Sequence, residues 1–213
     1  MKICSLALFY YISTMNRLMV IIAFFVGFTG VVRGQIGVGT NNPTAELEVE
    51  TENAGLPALE LNPQTNPVGT DAGQIAVIGD ELYMYDASRS KWLSMATMPL
   101  QFGRNGATTA QNIHFGGNMV SALSGPLMPK DGTIIGITIN SANGNATKEF
   151  EIRVRNDNST LSTESVNLVD NVYNSISHNI DFSSGDYITV RARDNGNGDV
   201  IDPAIVVWVK WRG

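Results

Sequence analysis

Asp202-Pro203-Ala204-Ile205-Val206-Val207-Trp208-Val209-Lys210-Trp211-Arg212 is the stretch on which the fold turns. In an extended strand, Ile205, Val207, Val209 and Trp211 share one face. Ala204, Val206 and Trp208 share the other, ahead of the charges of Lys210 and Arg212. A strand apolar on both sides needs cover on both sides, and a half-exposed antiparallel sheet supplies only one. The second side must meet another layer or another subunit. We assign Ile205, Val207 and Val209 to the subunit core, and Val206 and Trp208 to a contact with another subunit. Alternation alone leaves the reverse assignment open.

Upstream, residues 98–213 contain further segments of the same kind. Residues 133–140 carry Ile135, Ile137 and Ile139 at alternate positions. In residues 148–155, Phe150, Ile152 and Val154 alternate with Glu149, Glu151, Arg153 and Arg155. Residues 161–169 follow an Asn156-Asp157-Asn158 turn, and residues 175–182 place Ile176, Ile180 and Phe182 on one side. Residues 187–193 alternate Ile188, Val190 and Ala192 with Thr189, Arg191 and Arg193. Strands at this spacing, separated by Gly, Asn, Asp and Ser turns, predict an all-β chain ending in an antiparallel jelly-roll sandwich. No amphipathic helix is expected after residue 34.

The beginning of the chain addresses it for export. Residues 18–32 are apolar and uncharged, with Arg17 before them and Arg33-Gly34 after them. That is the layout of a signal peptide over residues 1–34, cleaved before Gln35. The run is shorter than the roughly 20 residues of a spanning helix. Met15 precedes Asn16-Arg17 directly and is the alternative start. Removing residues 1–34 leaves 11 basic and 20 acidic residues, a net charge of −9, and removes the only cysteine, Cys4. Cys4 precedes the apolar run, where a lipid-attachment cysteine does not lie. A disulfide-free exported domain depends on its core, on metals or on oligomerisation. The acidic balance excludes a nucleic-acid binder, and no membrane association is expected after cleavage.

Two smaller regions precede the sandwich. Residues 35–72 hold a neck and linker: Ile36 and Val38, then Leu47 and Val49, read as two short strands around the Asn41-Asn42-Pro43 turn. Such a hairpin is marginal alone and needs copies of itself or a neighbour. Prolines 57, 63 and 67 mark the linker. Residues 73–97 read as a three-stranded meander over 75–78, 82–85 and Trp92-Leu93. Tyr83, Tyr85 and Trp92 are either a sugar-stacking platform or the packing aromatics of a very small sheet, and the packing reading is preferred.

The neck, with Gly37, Gly39, Thr40, Pro43, Leu47 and Val49, resembles the G-I-G-T-x-x-P-x-x-x-L-x-V opening of exported bacterial surface proteins and phage tail-fibre proteins. The meander, with its L-Y-M-Y-D and K-W-L stretches, is similar to the segment that follows it there. The C-terminal region is similar to the jelly-roll heads of the complement globular-head and tumour-necrosis-factor superfamily. The stretches P-K-D-G-T-I-I-G-I-T-I, F-E-I-R-V and V-V-W-V-K-W-R carry that match. The resemblance implies a trimer whose last strand lies in the inner sheet near the threefold axis, which makes the Val206 and Trp208 contact a trimer interface. The chain departs from it in having no Gly-X-Y stalk and a single neck module.

Candidate chemistry is sparse. Asp194, Asn195, Asn197, Asp199 and Asp202 offer closely spaced hard oxygens, a candidate calcium loop, although Val200 breaks the EF-hand register. A Gly/Asn-rich hairpin explains the same residues. His178, near Ser175, Ser177 and Asp181, is read as a partly buried histidine satisfied by a hydroxyl, since a triad is defined by geometry. Asp170, Asp181, Asp186 and Asp199 all suit turns as well as they suit a pair of glycosidase acids. No reactive motif stands in a required context, so no catalysis and no obligatory cofactor are expected. The Asn145 and Asn158 sequons are read as turn composition. The expected function is a homotrimeric, secreted structural or adhesive surface protein, binding a glycan or another surface protein through loop residues Asn143, Asn145, Asp157, Asn171, Asn174 and Asn197. The rivals are a monomeric, calcium-dependent carbohydrate-binding module and a jelly-roll hydrolase.

Overall fold

The computed structural model describes residues 36–38, 45–51, 55–116, 123–194, 196 and 198–213. The signal segment, Thr40, Pro43, Asn195 and Asn197 lie outside the described residues. The chain divides into two compact units, residues 1–60 and 61–213. All regular structure among the described residues is β.

In the first unit, β1 (Ile36–Val38) pairs with β2 (Leu47–Val49). The pairing is parallel, Ile36 opposite Leu47 and Val38 opposite Val49, and not the antiparallel hairpin expected from the sequence. Each residue meets the one 11 positions later, and the two segments run in the same direction. A turn tripeptide read from sequence does not reveal whether the connection stops at the turn or returns past it. The apolar side chains stay open: Ile36 is 62% exposed, Val38 53% and Leu47 61%.

The second unit begins with a meander of β3 (Ile75–Ile78), β4 (Glu81–Asp86) and β5 (Lys91–Ser94), antiparallel in that order. Ala76, Tyr83 and Leu93 are its buried apolar residues. It continues into the sandwich through β6 (Met98–Gly103), β7 (Ala107–Thr108), β8 (His114–Phe115) and β9 (Gly132–Asn140). Then come β10 (Asn143–Gly144), β11 (Glu149–Asn156), β12 (Ser159–Asn167), β13 (Val172–Ser175) and β14 (Ile180–Phe182). Last are β15 (Tyr187–Ala192), β16 (Val200–Ile201) and β17 (Ala204–Trp211).

The larger sheet has the order β13-β9-β17-β6-β8, with β14 also on β9; the smaller has the order β12-β11-β15. A third, short sheet, β10-β16-β7, is built from the loops. Between the two main sheets lies one core. Ile134, Ile137, Ile139, Ile205, Val207, Val209 and Phe102 come from the larger sheet, and Phe150, Ile152, Val154, Ile188 and Val190 from the smaller. The chain is therefore an all-β protein with a sandwich, as its alternation predicts.

Two local expectations are corrected. Trp208 pairs with Gly136 but Val209 pairs with Ile134, so Ile135 is the extra residue of a β-bulge. The bulge swaps the inward positions: Ile134 is fully buried while Ile135 is only half-buried. Residues 175–182 form not one strand but the end of β13 and β14, both on β9. The intervening loop leaves Ile176 77% exposed. On the edge strand β12, a bulge opposite Val154/Arg155 leaves Leu161 facing solvent, while Val166 is buried.

Candidate functional site

Strand β17 occupies the middle of the larger sheet, and its alternation sorts as the sequence suggests. Ile205, Val207 and Val209 are buried in the core. Val206 and Trp208 lie on the outer face, half-buried, and Ala204 is exposed. Register places neighbours on that face: Thr138 and Gln101 flank Val206, and Gly136 and Pro99 flank Trp208. Asn174 of β13 sits opposite Thr138. Trp208 lies over Gly136, where a Cβ would come within 3.4 Å of its ring, and its indole N–H donates to the Thr138 hydroxyl at 3.3 Å. From β13 to β6 this face carries Val172, Asn174, Asn140, Thr138, Ala204, Val206, Trp208, Gln101 and Pro99, and the charges of Arg89 and Lys210 lie at its meander margin.

The opposite outer face, on β12-β11-β15, is built from charge. Glu151 pairs with Arg153 and, at 3.2 Å, with the Arg193 Nε. Arg155 is buried despite pointing outward, donating to Thr160 Oγ1 at 2.5 Å, to Asn158 O at 2.7 Å and to the Tyr187 hydroxyl at 3.4 Å.

The loop residues named from sequence do not form one group. Asn143, Asn145 and Asn171 gather at the end of the sandwich remote from the meander. There Ser141 N donates to Asn171 O at 3.0 Å, and Asn145 N to Asp199 O at 2.7 Å. Asp157 lies at the other end, in the turn whose Asn156 side chain donates to Asp186. Asn174 is on the flat outer face. The division follows from strand direction, because successive hairpin turns of an antiparallel sandwich fall at alternate ends.

The acidic loop shows the same dispersal. Asp199 accepts from the Thr109 hydroxyl, Asp202 from Gly106 N at 2.5 Å, and Asp194 from Gly196 N at 3.3 Å. Among the described residues no three His, Cys, Asp or Glu side chains could hold a metal together. A cation of the protein's own enters the loop instead: Lys148, fully buried, donates its Nζ to Gly198 O at 2.8 Å. The sequence places Lys148 at the start of the alternating 148–155 segment and gives no sign of its partner.

At the meander end the aromatics pack. Tyr83 is buried and donates to Glu81 at 3.2 Å. The Tyr85 and Trp92 rings lie 5.3 Å apart, Trp92 donates to Pro67 O at 2.8 Å, and Gly69 sits so close to the Tyr85 ring that a Cβ there would overlap it. These contacts bury Tyr83 and hold Tyr85 and Trp92 half-buried against each other, so packing engages the aromatics. A cleft of 310 Å³ remains, lined by Tyr85, Lys91, Trp92 and Arg212. Its cations are already paired: Lys91 with Asp181 at 2.5 Å, and Arg212 with Asp181 at 2.9 Å and Asp131 at 3.3 Å. Burial pushes the Asp181 carboxyl up, but hydrogen bonds from Lys91 and Thr133 and the Arg212 charge outweigh it and hold Asp181 below the usual carboxylate range. Arg89 locks meander to sandwich, donating to His178 O at 2.7 Å, Ile176 O at 2.6 Å and Ile135 O at 3.2 Å.

His178 itself is buried. Its Nε2 lies 3.2 Å from the Tyr173 hydroxyl and its Nδ1 3.3 Å from Glu164. It spans the open side of the sandwich, between β12 and the β13–β14 loop. The Ser175 and Ser177 hydroxyls bond each other at 3.1 Å. The hydroxyl partner matches the structural role read from sequence.

No family model matches the chain, and no curated protein matches it.

Proposed function

We propose that the chain is an exported, non-enzymatic surface protein of structural or adhesive type, working as a homotrimer whose sandwich heads present the Asn143, Asn145 and Asn171 end to a ligand. The observation that carries this reading is the uncharged outer face around Val206 and Trp208. Solvent faces of β-sandwiches alternate polar and charged residues outward, as the β12-β11-β15 face does here. A central strand with valine and tryptophan pointing out is the pattern of a face that packs on another copy. The open apolar residues of β1 and β2 support it independently, since an isolated three-residue pair cannot bury them. Three heads held together make three weak contacts act as one. The packed aromatics speak against sugar stacking at Tyr83, Tyr85 and Trp92, and the separately satisfied aspartates speak against calcium in the 194–202 loop.

The test is size-exclusion chromatography with light scattering on the secreted protein and its Trp208→Glu variant. A trimer that becomes a folded monomer on substitution is the expected result. A wild-type monomer at micromolar concentration, or a trimer indifferent to the substitution, would overturn the reading.

A further inference from the structure

The Asn143–Gly144 pair stands apart chemically from its surroundings. Strand β10 consists of these two residues alone, pairing with β16 as Asn143 opposite Ile201 and Gly144 opposite Val200. Both are exposed. Flanking backbone bonds run from Ala142 N to Ile201 O at 3.0 Å and from Asn145 N to Asp199 O at 2.7 Å. The Gly144 N–H instead donates to Oδ1 of the preceding Asn143 side chain at 2.7 Å. A backbone amide nitrogen therefore sits beside the carboxamide of its own neighbour, with its N–H turned to that side chain.

Glycine is obligatory at 144. Its φ is +96°, and a Cβ would fall 2.4 Å from Asp199 O. With no side chain next to the nitrogen, nothing shields it from the carboxamide. Asn105–Gly106 is a second such pair, with the opposite restraint. There Gly106 N donates to the Asp202 carboxylate at 2.5 Å, and Gly106 O accepts from Asp202 N at 3.2 Å. A carboxylate partner makes the N–H harder to deprotonate and directs it away from Asn105.

We propose that Asn143 is a self-modifying site that deamidates selectively over Asn105 in the folded protein. Solvent base removes the Gly144 amide proton, and the nitrogen forms a bond to Asn143 Cγ. The Cγ–Nδ2 bond breaks and ammonia leaves, closing a five-membered succinimide. Water then adds at one of its two carbonyls and opens the ring to aspartate or to isoaspartate. No oxidant, reductant or enzyme is needed. The product carries a new negative charge at the end of the head remote from the meander. The isoaspartyl form also lengthens the backbone by one atom between residues 143 and 144, which breaks the register of β10 with β16. The inference does not depend on the oligomeric state.

The test is incubation of the intact protein in mildly alkaline buffer, followed by tryptic mapping with fragmentation and isoaspartyl detection. Cleavage after Arg104, Lys130 and Lys148 places Asn105 in peptide 105–130 and Asn143 in peptide 131–148. Product at Asn143 is expected to accumulate several-fold faster than at Asn105, and the difference should vanish in denaturant. Asn143→Gln should remove the product from peptide 131–148 without changing the melting temperature. The proposal is overturned if Asn105 keeps pace with Asn143 in the folded protein. It is equally overturned if the product in peptide 131–148 maps to Asn140 or Asn145, or if the same selectivity persists after unfolding.

Discussion

The two outer faces of the sandwich have the same backbone and opposite chemistry. On β11 and β15, each inward apolar residue is followed by an outward charged or hydroxylated one: Phe150–Glu151, Ile152–Arg153, Val154–Arg155, Ile188–Thr189, Val190–Arg191. The outward groups then satisfy one another, Glu151 holding Arg153 and Arg193, and Arg155 turning back onto Thr160 and Asn158. That face is finished within a single chain. On β17 and β9 the outward set is Ala204, Val206, Trp208, Thr138 and Gly136, and its one side-chain bond at the centre is Trp208 to Thr138. Both sheets bury their inner faces equally well, so core formation does not explain the difference. The proposed contact between copies would account for it.

The sharpest way to break the comparison is to place the same charge on each face. Val206→Lys puts an ammonium where the proposal seats a second copy, and Thr163→Lys adds one to the face that already carries charge. The first is expected to abolish assembly and the second to leave it intact, both read by light scattering. Neither side chain is in the core, so each should change the stability of the single subunit by no more than about 0.5 kcal/mol. Loss of assembly in both, or in neither, would erase the distinction.

A smaller effect tests whether the charged face is as self-contained as it looks. Glu151→Gln keeps the shape but removes the negative charge and one of the two acceptor oxygens shared by Arg153 and Arg193. Arg153 and Glu151 are both largely shielded from solvent, so the unpaired guanidinium matters more than at an open surface. A loss of about 1–2 kcal/mol in urea denaturation is expected, with assembly unchanged. A change under about 0.3 kcal/mol would put this network with ordinary exposed ion pairs.

How much of this was legible beforehand depends on what each element rests on. Strands β11, β15 and β17 were readable because period-two alternation is a property of one segment, and all three run nearly where the pattern puts them. The type of fold follows from those strands and their turns. The Ile135 bulge was not readable, because the extra residue exists only relative to β17, and a residue repeat cannot show where a partner slips. The parallel pairing of β1 with β2 was hidden for the same reason. Strand β6 carries Pro99 and too short an alternation to stand out, yet it completes the sheet beside β17. At the candidate sites, the histidine's hydroxyl partner could be anticipated from nearby residue types. The split of the Asn and Asp loops between opposite ends required strand direction, and Lys148 required knowing that the 194–202 loop folds back over it.

The least expected effect concerns where the uncharged face stops. Charge on the larger sheet collects at its meander margin, where Asp181 receives Lys91, Arg212 and the Thr133 hydroxyl. A carboxyl held below its ordinary value contributes stability that is fully present above the unfolded-state pKa of about 3.9. That contribution is lost as pH falls from there through the lower folded-state value. Asp86, whose carboxyl is likewise held low by Ser88 and Arg89 against the upward push of burial, adds to the same loss. Because Asp181 is nearly half exposed, solvent screens its pairs, and Asp181→Asn should cost less than about 1 kcal/mol at neutral pH. The wild-type and variant melting temperatures should converge as pH drops below about 3.9. The Val206–Trp208 face holds no group that titrates there, so the acid-induced loosening should register in proteolysis of the meander before any change in assembly. Dissociation preceding meander cleavage would mean that the assembly contact runs through the charged margin and not through the apolar face.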